Sequence, residues 1–361
     1  ECYMHFFETL DSAIAVLKDV VENNPDAKPL EEVDALYHGD YSKWLKLANS
    51  VKLRLAMRIC YVKPDLAKQY AMEAVRDGVM ETADDSALFQ SWGSITVINP
   101  LEKIWNGYSD TRMGASMDSY LNGYNDPRLP VYFQPVTDGD NKGEYRGVAN
   151  GMPNPQQEDY KAMSSPNVQE KSTDSPLRWM MASEVAFLRA EGAMRGWTAE
   201  MGGTAEEFYN KGIELSFLEN GLSADAAARY AADETSKPTD FTDVSAANTK
   251  YNISALGKIA IKWNSGASEE EQLERIITQK WIAMFPNGTE AWSEFRRTGY
   301  PRLFPVRYNY PSSGVDTNKQ IRRMVFPQSE YSNNGAAVQE AVKLLGGPDN
   351  GGTKLWWDKK N

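Results

Sequence analysis

The stretch Gln279-Lys280-Trp281-Ile282-Ala283-Met284-Phe285-Pro286-Asn287-Gly288-Thr289-Glu290-Ala291-Trp292-Ser293-Glu294-Phe295-Arg296-Arg297-Thr298-Gly299-Tyr300-Pro301 decides how this chain is read. Just upstream, Ser268 and Glu271 have the spacing of a helix cap. Leu273, Ile276, Ile277, Trp281 and Met284 then recur every three or four residues, which predicts a helix through about 285 with those side chains inward. Pro286-Asn287-Gly288 reads as a turn into a short helix near 290–297. Trp281, Phe285 and Trp292 share one helical face and then cross the turn, the arrangement of a core. Arg296 and Arg297 are expected to pair with nearby acids or carbonyls and not with a ligand.

Working outward, composition closes off several classes. In 361 residues, 39 Lys and Arg face 50 Asp and Glu, a net charge of -11, and such a surface repels phosphate backbones, so nucleic acid is not an expected partner. No apolar run reaches the ~18–20 residues of a membrane helix. Cys2 and Cys60, with His5 and His38, are too few for a Cys-rich zinc site, a disulfide framework or a motif-borne histidine triad. Dinucleotide, P-loop, nucleophile-elbow and zinc-protease signatures are missing from the sequence. Paired carboxylates such as Asp84/Asp85 or Glu184/Glu191 carry nothing by themselves. The 10 Trp, 18 Tyr and 12 Phe are the distinctive feature, since aromatics fill cores or line surfaces that stack on flat or sugar-like ligands.

The expected fold class is mainly α, in one domain over 1–361. Helical hairpins of tetratricopeptide-like character occupy about 1–80, 177–221 and 268–298. Irregular, loop-rich segments with a few short strands occupy about 81–176, 222–267 and 299–361. Met4, Phe7, Leu10, Ile14 and Leu17 predict a first helix ending at Asn23-Asn24-Pro25. A second helix, about 42–60, presents Trp44, Leu47, Ala48, Val51, Leu55 and Ile59 on one face and Lys46, Lys52, Arg54 and Arg58 on the other. Pro64 opens a third, with a small-residue stripe ending at Gly78. Helices at about 177–196 and 204–220 form a second hairpin, with Thr204 and Glu207 spaced as a capping box and small residues, Ala186, Ala190 and Gly212 among them, where helices cross. Leu129 to Phe133 is the best strand candidate.

The quoted stretch closely resembles the most recognisable motif of the SusD/RagB family, surface nutrient-binding lipoproteins of Bacteroidetes outer membranes. Three other segments are similar to the same family: Gly39-Asp40-Tyr41-Ser42-Lys43-Trp44 through Ala48 to Arg58, Asn125-Asp126-Pro127-Arg128-Leu129 at the start of a strand, and Ile321-Arg322-Arg323-Met324-Val325-Phe326-Pro327 with Glu330 and Asn333. The resemblance implies tetratricopeptide-like helices supporting a ligand-binding half. It implies no enzyme, but capture of oligo- or polysaccharide and its delivery to a SusC-like TonB-dependent transporter at the cell surface. It also implies attachment to the outer membrane through an N-terminal lipidated Cys. The sequence departs there, opening at Glu1-Cys2 inside a helical pattern, so Cys2 is expected to be an ordinary cysteine and the anchored segment to lie outside this chain.

Ligand contact is expected on the irregular loops, where Trp and Tyr can stack on sugar faces while Asn, Asp and Arg bond hydroxyls. Trp92, Trp105, Asn106, Tyr108, Asp110, Arg112, Tyr124 and Tyr132 are the candidates, with Trp92 foremost because Ser91 and Gly93 leave its sides open. Trp197, Tyr308 and Tyr310 are secondary. No cofactor is expected; Asp138-Gly139-Asp140-Asn141 has the oxygen density for a structural calcium ion but lacks the length and terminal Glu of an EF-hand loop. Other readings are capture of peptides or another non-sugar nutrient, a glycoside hydrolase, and a helical scaffold that binds only proteins.

Overall fold

The computed structural model describes residues 2–153, 156–167, 175–244 and 250–360. Its first layer is the helix set anticipated from spacing: α1 (Cys2–Asn23), α2 (Tyr41–Arg58) and α3 (Pro64–Arg76), with α2 packed against both neighbours. Asp40 starts α2 by accepting from the amides of Ser42 and Lys43, and Pro64 occupies the first turn of α3, where a missing N–H is harmless. Ala67, Ala71 and Ala74 are fully buried, so the small-residue stripe lets α3 approach closely. The polar side of α2, however, is not a solvated face. Lys52 is buried between Asp11 of α1 and Glu73 of α3, at 2.6 and 2.7 Å, because α2 is covered on more than one side.

Strand β1 (Ala87–Phe89) follows, then the turn α4 (Pro100–Glu102), running directly into a π-helical turn over Lys103–Gly107. Next come α5 (Ala115–Gly123), α6 (Leu129–Tyr132), α7 (Gln157–Tyr160) and β2 (Leu177–Met180). Further α-helices among the described residues are α8 (Ala182–Gly192), α9 (Thr198–Met201), α10 (Ala205–Leu218), α11 (Ala224–Ala231), α12 (Glu269–Ala283), α13 (Gly288–Thr298) and α14 (Gln328–Leu345). β1 and β2 pair antiparallel, with Leu88 opposite Arg178 and an irregularity between Ala87 and Leu88.

Four expectations change. Leu129 to Phe133 is not a strand: Pro130 removes a ladder donor at the first turn of α6, and only Phe133 makes a single bridge, to Pro166. The helix expected from 177 begins at Ala182, because Leu177–Met180 extend to pair with β1. In 222–267, Ser223 caps the short helix α11, which buries Ala227 and Tyr230. In the tail, α14 escapes periodicity analysis because Val338 is its one buried residue.

Two apolar clusters share α8. Ala182, Val185 and Leu188 join the cluster of α1 to α3, while Phe187 and Ala190 join that of α5, α10 and α12. α10 meets α8 at Gly212, where a Cβ would lie 2.7 Å from the Phe187 ring. The glycine is kept for space.

Between the clusters runs a buried ion network centred on the 279–301 stretch. Arg297 bonds Glu191 at 2.6 and 2.7 Å and also Glu294. Lys280 bonds Glu294 at 2.9 Å, and Arg54 grips Glu184 with two hydrogen bonds. Gln279 accepts from Arg128, which is fully buried and doubly bonded to Asp126. Arg296 donates to the Arg322 carbonyl, and Arg322 pairs with buried Asp358 at 2.6 Å. Both arginines of the quoted stretch therefore bond acids or carbonyls, as expected. Next to Asp358, Trp357 lies against Arg58 and Arg296, and Trp356 meets Tyr3 of α1 edge-on at 5.2 Å. Trp281, Phe285 and Trp292 are only half-buried, and Trp292 donates its indole N–H to the Ile321 carbonyl at 2.7 Å.

Candidate ligand-binding site

Among the described residues, loops between the helices line three neighbouring cavities. The largest, about 910 Å³, lies where β2, the 103–107 turn, the end of α6 and the Phe285-Pro286-Asn287 turn converge on α2. Aromatic rings bracket it. Trp179 stacks on Phe89 at 5.1 Å and 19°, and half of its surface is exposed (50%). Trp105 lies nearly parallel to Phe285 at 5.9 Å and 13°, and Tyr132 is tilted against the same Phe285 at 4.8 Å.

Sequence explains these placements locally. Asn99 caps the turn before Trp105 by accepting from the Leu101 amide, and it ties that turn to the residues leading into β2 by donating to the Ser175 carbonyl at 3.2 Å. β2 alternates, so Trp179 stands out while Met180 enters the core.

Polar groups lie among the rings. Asn220 donates to the Ser216 carbonyl at 2.6 Å and to the Tyr132 hydroxyl at 3.3 Å. Among the described residues, Asn220 Oδ1 and Arg178 Nη1 have no hydrogen-bond partner, although both residues line the cavity. Burial pushes the Tyr132 phenol above its ordinary range against the opposing pull of Arg128 and Arg178, so it stays a neutral hydroxyl at physiological pH. Glu102 is the one carboxylate among the described lining residues.

A second cavity of about 670 Å³ is bounded by Asp110, Arg112, Asn150, Tyr160 and Lys161. A third, about 240 Å³, lies between them and shares Trp105 and Phe285 with the first and Arg112, Met113 and Asn150 with the second.

Of the candidates from sequence, Trp105 and Tyr132 line the first cavity, and Asp110 and Arg112 the second. Asn106 and Tyr108 are exposed on the stretch joining them, outside these linings; the Lys103 ammonium lies 5.9 Å from the Tyr108 ring centre. Tyr124 is a correction. It is 1% exposed, following α5 on its core side, and donates to the Ile259 carbonyl at 3.2 Å. Trp92 is 37% exposed but stands apart from all three cavities, one face stacked 3.5 Å from the His38 ring and its indole N–H on the Glu31 carbonyl at 2.5 Å. Trp197 is buried, whereas Tyr308 and Tyr310 are exposed and pair edge-on. The Asp138 carboxylate bonds the Gly139 amide within its own turn. Among the described residues, no group of three or more His, Cys, Asp or Glu could hold a metal ion.

Sequence reasoning missed Trp179, Arg178, Asn220 and Phe285. Trp179 is hidden because Leu-Arg-Trp-Met holds three good helix formers, so the spacing extends a helix back to 177, and the pairing with β1 that makes it a strand is not local. The spacing places Phe285 in the core, yet it sits just past the end of α12, where the core gives way to the cavity.

Comparison with known proteins agrees with this architecture. Residues 1–358 match the SusD-like family model, described as SusD and RagB outer membrane lipoprotein. A chitin-binding SusD homolog from Flavobacterium johnsoniae is 41% identical over 100% of this chain and 73% of its own, with a TM-score of 0.92. A SusD-like protein from Bacteroides thetaiotaomicron is 43% identical over 99% of this chain and 72% of its own, with a TM-score of 0.91. A SusD homolog from Bacteroides vulgatus is 36% identical over 100% and 72%, with a TM-score of 0.92. No curated protein matches. On the match across its length and these structural relatives, the chain belongs to the SusD-like family of outer membrane lipoproteins.

Proposed function

We propose that this protein captures oligo- or polysaccharide at the outer-membrane surface and passes it, chemically unchanged, to a SusC-like TonB-dependent transporter. The observation that carries the reading is the cavity bracketed by Trp179 on Phe89 and Trp105 on Phe285, with Arg178, Asn220 and Tyr132 between them. Rings held by a stacking partner are already fixed, so a sugar's C–H face docks with little ordering entropy, and neighbouring polar groups bond its hydroxyls. The chitin-binding relative supports the same chemistry. Glycoside hydrolysis needs two carboxylates flanking one bond, whereas Glu102 stands by itself among the described lining residues of the main cavity. Lipid tethering, as the family description implies, would hold the protein at the membrane; among the described residues, no helix is long and apolar enough to cross one. A single aromatic site of this kind binds in the micromolar range or weaker.

Affinity electrophoresis over a polysaccharide panel, followed by calorimetry and chromatography of the products, tests this. Retardation by one polymer, weakened in Trp179→Ala and Trp105→Ala and without cleavage, is the expected result. Cleavage would make the protein an enzyme. Silence across the panel would turn the reading to peptide or another non-sugar nutrient.

A further inference from the structure

The three cavities share walls. Trp105 and Phe285 line both the largest and the smallest, and Arg112, Met113 and Asn150 line both the smallest and the second. A volume of about 910 Å³ already stands near the top of the ~300–1,000 Å³ range for compact ligands, so adjoining spaces of about 240 and 670 Å³ leave room for something longer.

The far end is built differently from the near end. The Arg112 guanidinium donates to the carbonyls of Ser109 at 3.1 Å, Thr111 at 2.8 Å, Tyr160 at 3.3 Å and Lys161 at 2.7 Å. Four carbonyls from two separate segments hold it, and no described carboxylate forms an ion pair with it. Guanidinium carries five N–H donors, so one is left over. The acceptor Asp110 lines the same cavity, exposed. A rigid donor beside an exposed acceptor suits a hydroxyl-rich chain, with no stacking ring required.

Resting on the glycan reading above, we propose that the three cavities form one trough that recognises a linear oligosaccharide of several residues. Trp105 and Phe285 are the aromatic neck, and Arg112 with Asp110 is a second, hydrogen-bonding subsite engaged only by longer chains. Because the cavity of Arg112 and Asp110 shares no lining residue with the one Trp179 lines, a short ligand seated at Trp179 leaves the subsite empty.

The test is calorimetry with chito-oligosaccharides and malto-oligosaccharides, each as disaccharide, tetrasaccharide and hexasaccharide. The wild-type protein is run beside Arg112→Ala and Asp110→Ala, with circular dichroism confirming that both fold. Asp110 is exposed, so its variant keeps the proposal testable if loss of Arg112 loosens the loops. Affinity is expected to climb from disaccharide to hexasaccharide in one series. Either variant is expected to weaken the hexasaccharide about tenfold, one good hydrogen bond's worth, while leaving the disaccharide unchanged. A plateau at the disaccharide, or variant effects equal at every length, would overturn the trough and leave glycan capture standing. Absence of binding at every length in both series would count against glycan capture itself and remove the trough with it.

Discussion

Glu191 shows how much a single side chain carries. It is buried and grips Arg297 with two bonds while also pairing with Arg195. Replacing it as Glu191→Gln leaves a buried guanidinium partly uncompensated, which costs about 3–5 kcal/mol and is read as a lower urea midpoint. Trp179 stands at the opposite extreme. Half-exposed and stacked on one face only, it contributes little to folding, so Trp179→Ala should leave the thermal midpoint within a few degrees of wild type while glycan affinity falls roughly tenfold by calorimetry. The sequence could not separate these two kinds of residue. Glu184 and Glu191 read as two acids among 50, and what makes them matter is Arg54 and Arg297 arriving from other elements. Trp92 drew notice through its small neighbours, yet the partners that occupy it, His38 and the Glu31 carbonyl, lie more than fifty residues away.

Among the elements, the α8–α10 pair illustrates packing overriding propensity. Glycine inside a helix is less favourable than alanine by about 0.5–1 kcal/mol, yet Gly212 stands in the middle of α10. A methyl there would press 2.7 Å from a ring that is itself fully buried. Gly212→Ala should therefore destabilise by about 1–3 kcal/mol in equilibrium denaturation, against the sign its helix propensity gives. By contrast, Thr204 and Glu207 form the capping box that their spacing announces, and Thr204→Ala should cost about 1 kcal/mol. Caps and amphipathic stripes are local, so α1, α2, α3, α10, α12 and α13 were legible. β2 and α6 were not, because one is defined by its pairing with β1 and the other by a proline turn beside a buried Asp–Arg pair. α14 buries Val338 alone, and a helix without a stripe leaves no period to detect.

For the whole molecule, the ion network predicts an acid limit. Burial by itself would raise the Glu191 carboxyl, but Arg297 and Arg195 outweigh it and hold the group at about 2. Arg297 and Lys280 hold Glu294 well below the carboxylate range against burial, and Arg54 and Lys280 lower Glu184 against the same burial. In the unfolded chain such groups titrate near ~4.3. Their contribution is therefore fully present above that value and is lost as pH falls from there toward 2. Glu290 and Glu219, raised by burial, act in the opposite sense and soften the slope. Urea midpoints should be flat from pH 7 to pH 5 and decline steeply from pH 4 to pH 3, and Glu191→Gln should flatten that decline. The fold class was readable because helical periodicity is a matter of local spacing, and because the 279–301 stretch resembles a family's motif residue by residue. The trough was not, since its walls come from segments as distant as Trp105 and Phe285, and only the folded backbone brings them face to face.

The edge-on contact of Tyr3 with Trp356 closes the polypeptide on itself. The start of α1 and the segment beyond α14 thus brace one another, so the first helical layer is clamped by residues far along the chain. Trp356→Ala should accordingly let α1 be cut sooner in limited proteolysis than in the wild type, with the rest of the helical layer cut no faster.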